Sequence, residues 1–155
     1  MVSVKLPLLS PLTGRTLPLT DVPDPVFAEG MMGDGIAIEP SAGEVRAPIA
    51  GTVAVLFPTG HAVALQSADG VEVLIHVGLE SVATTGIFTP VVAVGDVVEA
   101  GDLLVKFDLK RLRRDAASPI SPVVITGLPE GFALEPATAG QTVEAGRDAL
   151  LIVAK

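Results

Sequence analysis

The sequence predicts an all-β protein, an antiparallel β-sandwich or flattened barrel with short helical turns. Its 155 residues include 16 glycines and 13 prolines, a composition that favours tight turns over long helices. Short apolar runs rich in β-branched residues alternate with turn signals, as expected of short strands. These runs cover residues 52–57, 62–65, 71–75, 103–107 and 149–153. Two sequence motifs also recur, which is typical of a fold with quasi-repeated hairpins.

A chain of this length fits one domain. We assign residues 1–155 to it, with 1–7 as a loosely ordered terminus, and such a domain buries roughly 70% of its unfolded surface. The absence of cysteine excludes disulfides and thiolate chemistry. A formal net charge of −8 disfavours nucleic acid and anionic membranes as partners and favours a protein with a basic patch. No signal peptide is evident and no apolar run approaches the ~18 residues of a membrane span, so we expect a cytoplasmic protein without direct membrane insertion.

The first part of the chain is predicted to contain a strand, a stiff connection and a turn. Residues 8–19 form a short strand that enters a turn at Ser10-Pro-Leu-Thr-Gly14. The segment Asp21–Phe27 is expected to be extended, because it contains two prolines. Met31-Met-Gly-Asp-Gly35 is expected to be a plain turn, since it lacks the lysine and the following helix of a phosphate-binding loop.

The recurring motifs come in two pairs. Ala47-Pro-Ile-Ala-Gly51 is related to Ser10-Pro-Leu-Thr-Gly14, and Gly95-Asp-Val-Val-Glu-Ala-Gly101 resembles Gly140-Gln-Thr-Val-Glu-Ala-Gly146. Each member of the second pair precedes an apolar run. Two copies are too few for a solenoid, so the repeats indicate equivalent hairpins within one sandwich or barrel.

One helix is predicted, over Asp108–Ala117, with Asp108 as its N-cap and basic side chains toward its end. The basic run Lys110-Arg-Leu-Arg-Arg114 fits either a solvated helix face, which is the default interpretation, or a patch for an anionic surface. Residues 118–126 are expected to return to strand.

The two histidines of the chain, His61 and His76, flank a predicted β-hairpin with an Asp-Gly turn signal. If the loop is Ala68-Asp69, the two histidines pair directly. If it is Asp69-Gly70, His76 pairs with Val63 and His61 lies on the adjacent diagonal. Both registers place the imidazoles on one face, and only a three-residue loop would separate them.

The second strand of this hairpin has one strongly apolar face, which we expect to be the core side: Val71, Val73, Ile75 and Val77. His76 should therefore lie on the more accessible face. His61 is predicted to share a face with Val63 and Leu65, which gives the histidine site apolar walls.

Several chemistries suit two neighbouring imidazoles, because neutral imidazole is a nucleophile or ligand at neutral pH. A Ser-His-Asp hydrolase is disfavoured, since no Gly-x-Ser-x-Gly occurs. A zinc site would need a third ligand, with Glu72, Glu80 or Asp24 as candidates. A phosphoryl carrier needs one nucleophilic imidazole and donors that neutralise the phosphate oxygens, and Thr59 supplies a hydroxyl two residues before His61. Chemistry alone also leaves open two ordinary half-buried strand histidines.

Several motifs spread over residues 8–155 resemble one family, the glucose-type enzyme IIA proteins of the bacterial phosphoenolpyruvate-dependent sugar phosphotransferase system. The motifs are Val22-Pro-Asp-Pro-Val-Phe-Ala-Glu29, Met32-Gly-Asp-Gly-Ile-Ala-Ile38, Ala47-Pro-Ile-Ala-Gly51, Thr59-Gly-His61, Ile75-His-Val-Gly-Leu-Glu80, Phe107-Asp-Leu109 and Ser121-Pro-Val-Val-Ile125. The resemblance implies a phosphotransferase component with an antiparallel β-sandwich fold. It also implies a phosphocarrier without a cofactor, in which the phosphohistidine is transient and zinc bridging of the histidines is not expected.

The resemblance also implies roles for individual residues. His76 takes a phosphoryl group from the carrier protein HPr and passes it to a cysteine of a IIB domain for sugar uptake, while His61 and Thr59 steady the phosphate. Six residues match positions that meet the partner proteins. They are the apolar Phe27, Met32, Phe57 and Val82 and the acidic Asp24 and Glu80. The loop after Val82 is about one residue shorter than is usual in the family.

Two alternatives remain beside the phosphocarrier. The repeated motifs also resemble biotinyl and lipoyl carrier domains, but Lys110 leads into the predicted helix and so does not match the carrier lysine of an exposed hairpin. The second alternative is a purely regulatory homologue that serves no sugar permease. The sequence does not specify the sugar or the oligomeric state, and the chain fits either a standalone protein or part of a longer permease.

Overall fold

The computed structural model describes residues 4–80 and 86–155. Within them the chain folds mainly into short strands, as predicted, with two short helices and a 3₁₀ turn. The helices are α1 (Pro25–Ala28) and α2 (Leu109–Asp115), and the 3₁₀ turn is Leu19–Asp21. The strands are β1 (Lys5–Leu9), β2 (Gly14–Leu17), β3 (Asp34–Pro40), β4 (Glu44–Arg46), β5 (Gly51–Leu56), β6 (Ala62–Gln66), β7 (Glu72–His76), β8 (Phe88–Pro90), β9 (Val97–Val98), β10 (Leu103–Phe107), β11 (Ser121–Gly127), β12 (Ala133–Leu134), β13 (Thr142–Val143) and β14 (Ala149–Ala154).

The strands form one large sheet and two small ones. The large sheet has the order β13-β2-β3-β11-β7-β6-β5-β9, and the small sheets have the orders β1-β14-β12 and β4-β10-β8. All strand pairs in the described part of the chain are antiparallel. The predicted all-β antiparallel class is therefore confirmed.

The central strand β7 is covered on both faces. Val73 and Ile75 point into the main hydrophobic core, together with the flanking Val71 and Val77, as the sequence predicts. Leu74, on the opposite face, belongs to a second, smaller cluster that includes Phe27. Burial on both faces explains the nearly continuous apolar sequence of this strand.

The hairpin that carries the histidines has a different register from either of the two predicted ones. Ala62 pairs with His76 and Val63 pairs with Ile75, so the turn contains three residues, 68–70, rather than two. Leu65 likewise pairs with Val73 and belongs to the main core. The prediction that Val63 and Leu65 wall the histidine site is therefore wrong. The Asp-Gly signal located the turn but did not fix its length.

Two predictions for the first part of the chain also need correction. Residues 5–7, expected in a loosely ordered terminus, belong to β1, which pairs with β14. The segment expected to be extended contains helix α1, which begins at Pro25 after the N-cap Asp24. Proline suits the first turn of a helix, because its missing N–H would have no partner there. The extended interpretation gave too much weight to proline as a helix breaker.

The recurring motifs occupy equivalent places, as the quasi-repeat predicts. The Ser10 amide donates to the Asp148 carbonyl at 2.7 Å, and the Ala47 amide donates to the Asp102 carbonyl at 2.8 Å. The two strand-entry motifs also bond to each other in a reciprocal way: Leu9 N–H to Pro48 O at 2.8 Å, and Arg46 N–H to Pro11 O at 2.9 Å. The two strand-entry motifs are therefore paired through equivalent backbone groups.

The predicted helix is present as α2. The Asp108 carboxylate accepts the Arg111 amide at 3.1 Å, which confirms it as the N-cap. Leu112 is fully buried and lies near Gly78, just beyond the end of β7. The helix therefore supports the loop that follows His76.

Candidate functional site

The two histidine rings lie against each other at one end of the central sheet. Their centroids are 5.0 Å apart, with an angle of 76° between the ring planes. His61 is buried, with 3% of its surface exposed, whereas His76 is partly exposed. The structure thus brings together the two residues on which the sequence-based site prediction depends.

The rings meet although the observed three-residue turn was expected to separate them. His61 precedes the first residue of β6, so the alternation of side chains along the strand does not dictate its orientation. The preceding Gly60 has a φ of +80°, and a Cβ there would lie 2.9 Å from the Phe88 Cβ. Glycine therefore permits both the bend and the close packing that place His61 at the strand end.

Thr59 holds the His61 ring from the other side of this bend. Its Oγ1 is hydrogen-bonded to His61 Nδ1. When the hydroxyl donates to Nδ1, the neutral ring carries its proton on Nε2. The Thr59–His61 pair can therefore present an N–H donor at the site.

The proton of the His76 ring is located by a backbone carbonyl. His76 Nδ1 lies 2.8 Å from the Gly78 oxygen, and a carbonyl oxygen can only accept a hydrogen bond. Nδ1 must therefore carry a proton, which leaves the lone pair of the neutral ring on Nε2. His76 is in the tautomer that a nucleophile at Nε2 requires.

Burial keeps both rings neutral at physiological pH. It lowers the pKa of His61 from 6.5 to about 4, with a further contribution from His76. Burial also lowers the pKa of His76, although the bond to the Gly78 carbonyl and the charge of Asp24 oppose this effect. Desolvation disfavours the charged form of an imidazole.

Aromatic rings form the walls of the site. Phe27 lies 5.2 Å from His76 and Phe57 lies 5.0 Å from His61, measured between ring centroids. Phe57 is 42% exposed, so it belongs to the rim. Phe88 lies 6.4 Å from His61 and was not predicted as a site residue, because it is distant in sequence and no pattern links it to the histidines.

The acidic residues predicted to meet a partner lie together beside the site. Asp24 and Glu80 line the same groove of about 300 Å³, together with Leu79. Asp24 also caps α1 by accepting the Val26 amide at 3.0 Å. Both Asp24 and Glu80 can present negative charge to a protein docked over His76.

The last two residues predicted to meet a partner protein are Met32 and Val82. Met32 is 40% exposed and follows α1 in a turn, where it is available to a docked protein. Val82 and the first three residues of the shortened loop that follows it, 83–85, lie outside the described residues.

Three further features concern the part of the chain that the structure describes. No group of three or more His, Asp or Glu side chains is arranged there to hold a metal ion. None of the described helices has the length and apolar character needed to cross a bilayer. Lys110 is in α2, so it does not occupy the hairpin position of a biotinyl or lipoyl lysine.

Two comparisons show which known proteins this chain is similar to. A family model described as phosphoenolpyruvate-dependent sugar phosphotransferase system, EIIA 1, matches residues 6–131. The structure of glucose permease IIA from Mycoplasma capricolum is similar to this one, with a TM-score of 0.89 and 36% sequence identity. That match covers 96% of each chain.

Proposed function

Because this chain belongs to the EIIA 1 family of the phosphoenolpyruvate-dependent sugar phosphotransferase system, we propose that it is a histidine phosphocarrier. In this proposal the chain acts as one domain spanning residues 1–155. Its His76 accepts a phosphoryl group from phospho-HPr and passes it to a cysteine of a IIB domain. The observation that carries the proposal is the hydrogen bonding and the surroundings of the His76 ring. Its Nδ1 proton is bonded to the Gly78 carbonyl, and a second imidazole lies beside it.

The transfer exchanges one phosphorus–nitrogen bond for another. The Nε2 lone pair of His76 attacks phosphorus in line, and the bond to the HPr histidine breaks with its electron pair returning to that imidazole. The phosphorylated His76 ring keeps its Nδ1 proton and becomes positively charged. The Gly78 carbonyl and the nearby Asp24 carboxylate stabilise this charge, consistent with their tendency to raise the pKa of His76.

His61 assists the transfer by hydrogen bonding and forms no covalent bond to phosphorus. With Thr59 bonded to Nδ1, the Nε2 proton of His61 can donate to a phosphate oxygen. A neutral donor held in place by burial needs little reorganisation during the reaction. The phenylalanine walls exclude water, which would otherwise hydrolyse the phosphohistidine.

A reconstituted transfer assay tests the two roles separately. The protein is incubated with labelled phosphoenolpyruvate, enzyme I and HPr, and then with a IIB domain. We expect His76→Gln to take up no label, since the attacking nitrogen is gone. We expect His61→Gln to take up label and to pass it on poorly, because it lacks the donor that steadies the phosphate. Label retained on the His76→Gln protein would refute the assignment of the acceptor.

The partner specificity is part of the same proposal. On the likeness to glucose permease IIA, we propose a glucose-type IIB domain as the acceptor. A homologue that is purely regulatory would still be phosphorylated by HPr. A pull-down of the phosphorylated protein against IIB domains, followed by transfer to the cysteine, separates the two functions: label that never leaves His76 favours regulation.

A further inference from the structure

The chain between His76 and the carbonyl that orients it is held by a serine on the neighbouring strand, because Ser121 Oγ accepts the Gly78 amide. We infer that Ser121 is a positioning residue: its buried hydroxyl holds the Val77–Gly78 peptide group, which joins His76 to the carbonyl that bonds its ring, and so fixes the tautomer and orientation of His76. The structural part of this inference stands alone, and its meaning for catalysis rests on the proposed phosphocarrier function.

The directions of the hydrogen bonds at Ser121 are unambiguous. The Gly78 amide can only donate, so Ser121 Oγ accepts from it at 2.9 Å. The Pro119 carbonyl can only accept, so the Ser121 hydroxyl donates to it at 2.9 Å. Ser121 is fully buried, and no water replaces a lost partner easily at such a position. Without this hydroxyl, the buried Gly78 amide would lack its acceptor.

Two backbone hydrogen bonds at Leu79 also hold the segment that follows His76. The Leu79 amide donates to the Ser118 carbonyl at 2.8 Å, and the Leu79 carbonyl accepts the Ala117 amide at 3.0 Å. The first bond also holds the Gly78 carbonyl, because the Leu79 amide and that carbonyl belong to the same planar peptide group. The contact from Ser121 is the one described side-chain bond to Gly78 N–H, so it controls the peptide group on the side toward His76.

The backbone at Gly78 is already in a conformation that few residues adopt. Its φ is +71°, and a Cβ would lie 2.9 Å from the Leu112 Cδ1. Such a glycine has many alternative conformations once a restraint is removed. Rotation of the Val77–Gly78 peptide group would move the His76 ring relative to the carbonyl and break the bond to Nδ1. The His76 proton could then shift to Nε2, the nitrogen that has to attack phosphorus.

The tautomer can be measured directly, because the protein has two histidines. Nitrogen NMR of the unphosphorylated protein distinguishes a proton on Nδ1 from one on Nε2. We compare wild type, Ser121→Ala, Ser121→Thr, which keeps the hydroxyl, and Ser67→Ala. Ser67 is a matched control, since it is also buried and accepts a backbone amide, that of Val71 at 3.1 Å, at the far end of the same hairpin.

We expect His76 to carry its proton on Nδ1 in wild type, Ser121→Thr and Ser67→Ala, and to show a substantial Nε2–H population in Ser121→Ala. We also expect Ser121→Ala to accept phosphate from HPr about tenfold more slowly or worse, within the roughly hundredfold that an ångström of misplacement can cost. The other two variants should react at a rate near that of wild type.

The inference is overturned if Ser121→Ala keeps the wild-type tautomer, whatever its rate, because the loss would then reflect general stability. If Ser121→Ala does not fold, Ser121→Cys replaces it. The thiol is close in size and a weak hydrogen-bonding group, so the tautomer should shift in the same direction. If the wild-type protein itself takes no phosphate from HPr, the proposed function fails, and the tautomer measurement still decides the role of Ser121.

Discussion

At the scale of single residues, the chemistry of this site depends on where two protons lie. The Gly78 carbonyl holds a proton on Nδ1 of His76, and Thr59 is bonded to Nδ1 of His61. The two rings are of the same type, yet these partners suit one to attack through Nε2 and the other to donate through Nε2. Different partners thus permit different roles for neighbouring histidines.

The lowered pKa of His61 predicts that acid destabilises the fold. Between pH 6.5 and about 4, the unfolded chain binds a proton at this residue and the folded protein does not. The free energy of unfolding should therefore fall as the pH falls through this window, by roughly 3 kcal/mol for a shift of this size. Above pH 6.5 the residue contributes no pH dependence, because it is neutral in both states.

Urea unfolding of wild type and His61→Gln at pH 7 and pH 4.5 measures this effect. The carboxylates and His76 titrate in both proteins, so the difference between the two proteins reports mainly on His61. We expect wild type to lose more stability than the variant on acidification. Equal losses would show that His61 is protonated as readily in the folded protein as in the unfolded chain.

At the scale of elements, the short helix α2 supports the loop that follows His76. It packs Leu112 against Gly78, and its first turn is completed by the Asp108 carboxylate. We expect Asp108→Ala to lower the free energy of unfolding by about 1 kcal/mol, because the Arg111 amide loses its acceptor.

The matched variant is Asp108→Asn, since asparagine caps a helix about as well as aspartate. Urea unfolding at neutral pH should place Asn within a few tenths of a kcal/mol of wild type. A loss in Asn as large as that in Ala would mean that the negative charge, rather than the cap, stabilises the helix.

At the scale of the whole molecule, two related halves produce a site that is not duplicated. The strand-entry motifs bond to one another through equivalent backbone groups. Both histidines, however, belong to one hairpin. The repeat therefore builds the scaffold, and the hairpin adds the chemistry to it.

The net charge of −8 predicts that HPr binding is steered by acidic residues at the site. Asp24→Asn and Glu80→Gln should each weaken HPr binding by up to about fivefold at low salt, the range of an exposed ion pair. Asparagine preserves the cap of α1. The control Glu130→Gln removes the same charge from an exposed residue near the far turn of the hairpin.

Calorimetry at low salt and at 1 M salt should show that the differences in HPr affinity vanish when charges are screened. A weakening that persists in high salt would contradict charge steering.

Much of the fold is determined by the sequence alone. The β-branched runs, the turn residues and the repeated motifs predict the strands and the antiparallel class, and Asp108 predicts the start of α2. These features are local, because they follow from the conformations that each residue prefers. The pairing of His61 with His76 as one site was also predicted, although through a hairpin register that proved wrong.

Only the tertiary structure decided how the two rings meet. Turn length, the bend at Gly60 and the packing of Phe88 bring His61 to the end of the sheet, and none of these follows from strand periodicity. Gly78 and Ser121 are 43 residues apart, so no local pattern reveals that one holds the other. Hydrogen bonds between distant segments depend on the completed chain path, and they determine the protonation state on which the proposed chemistry depends.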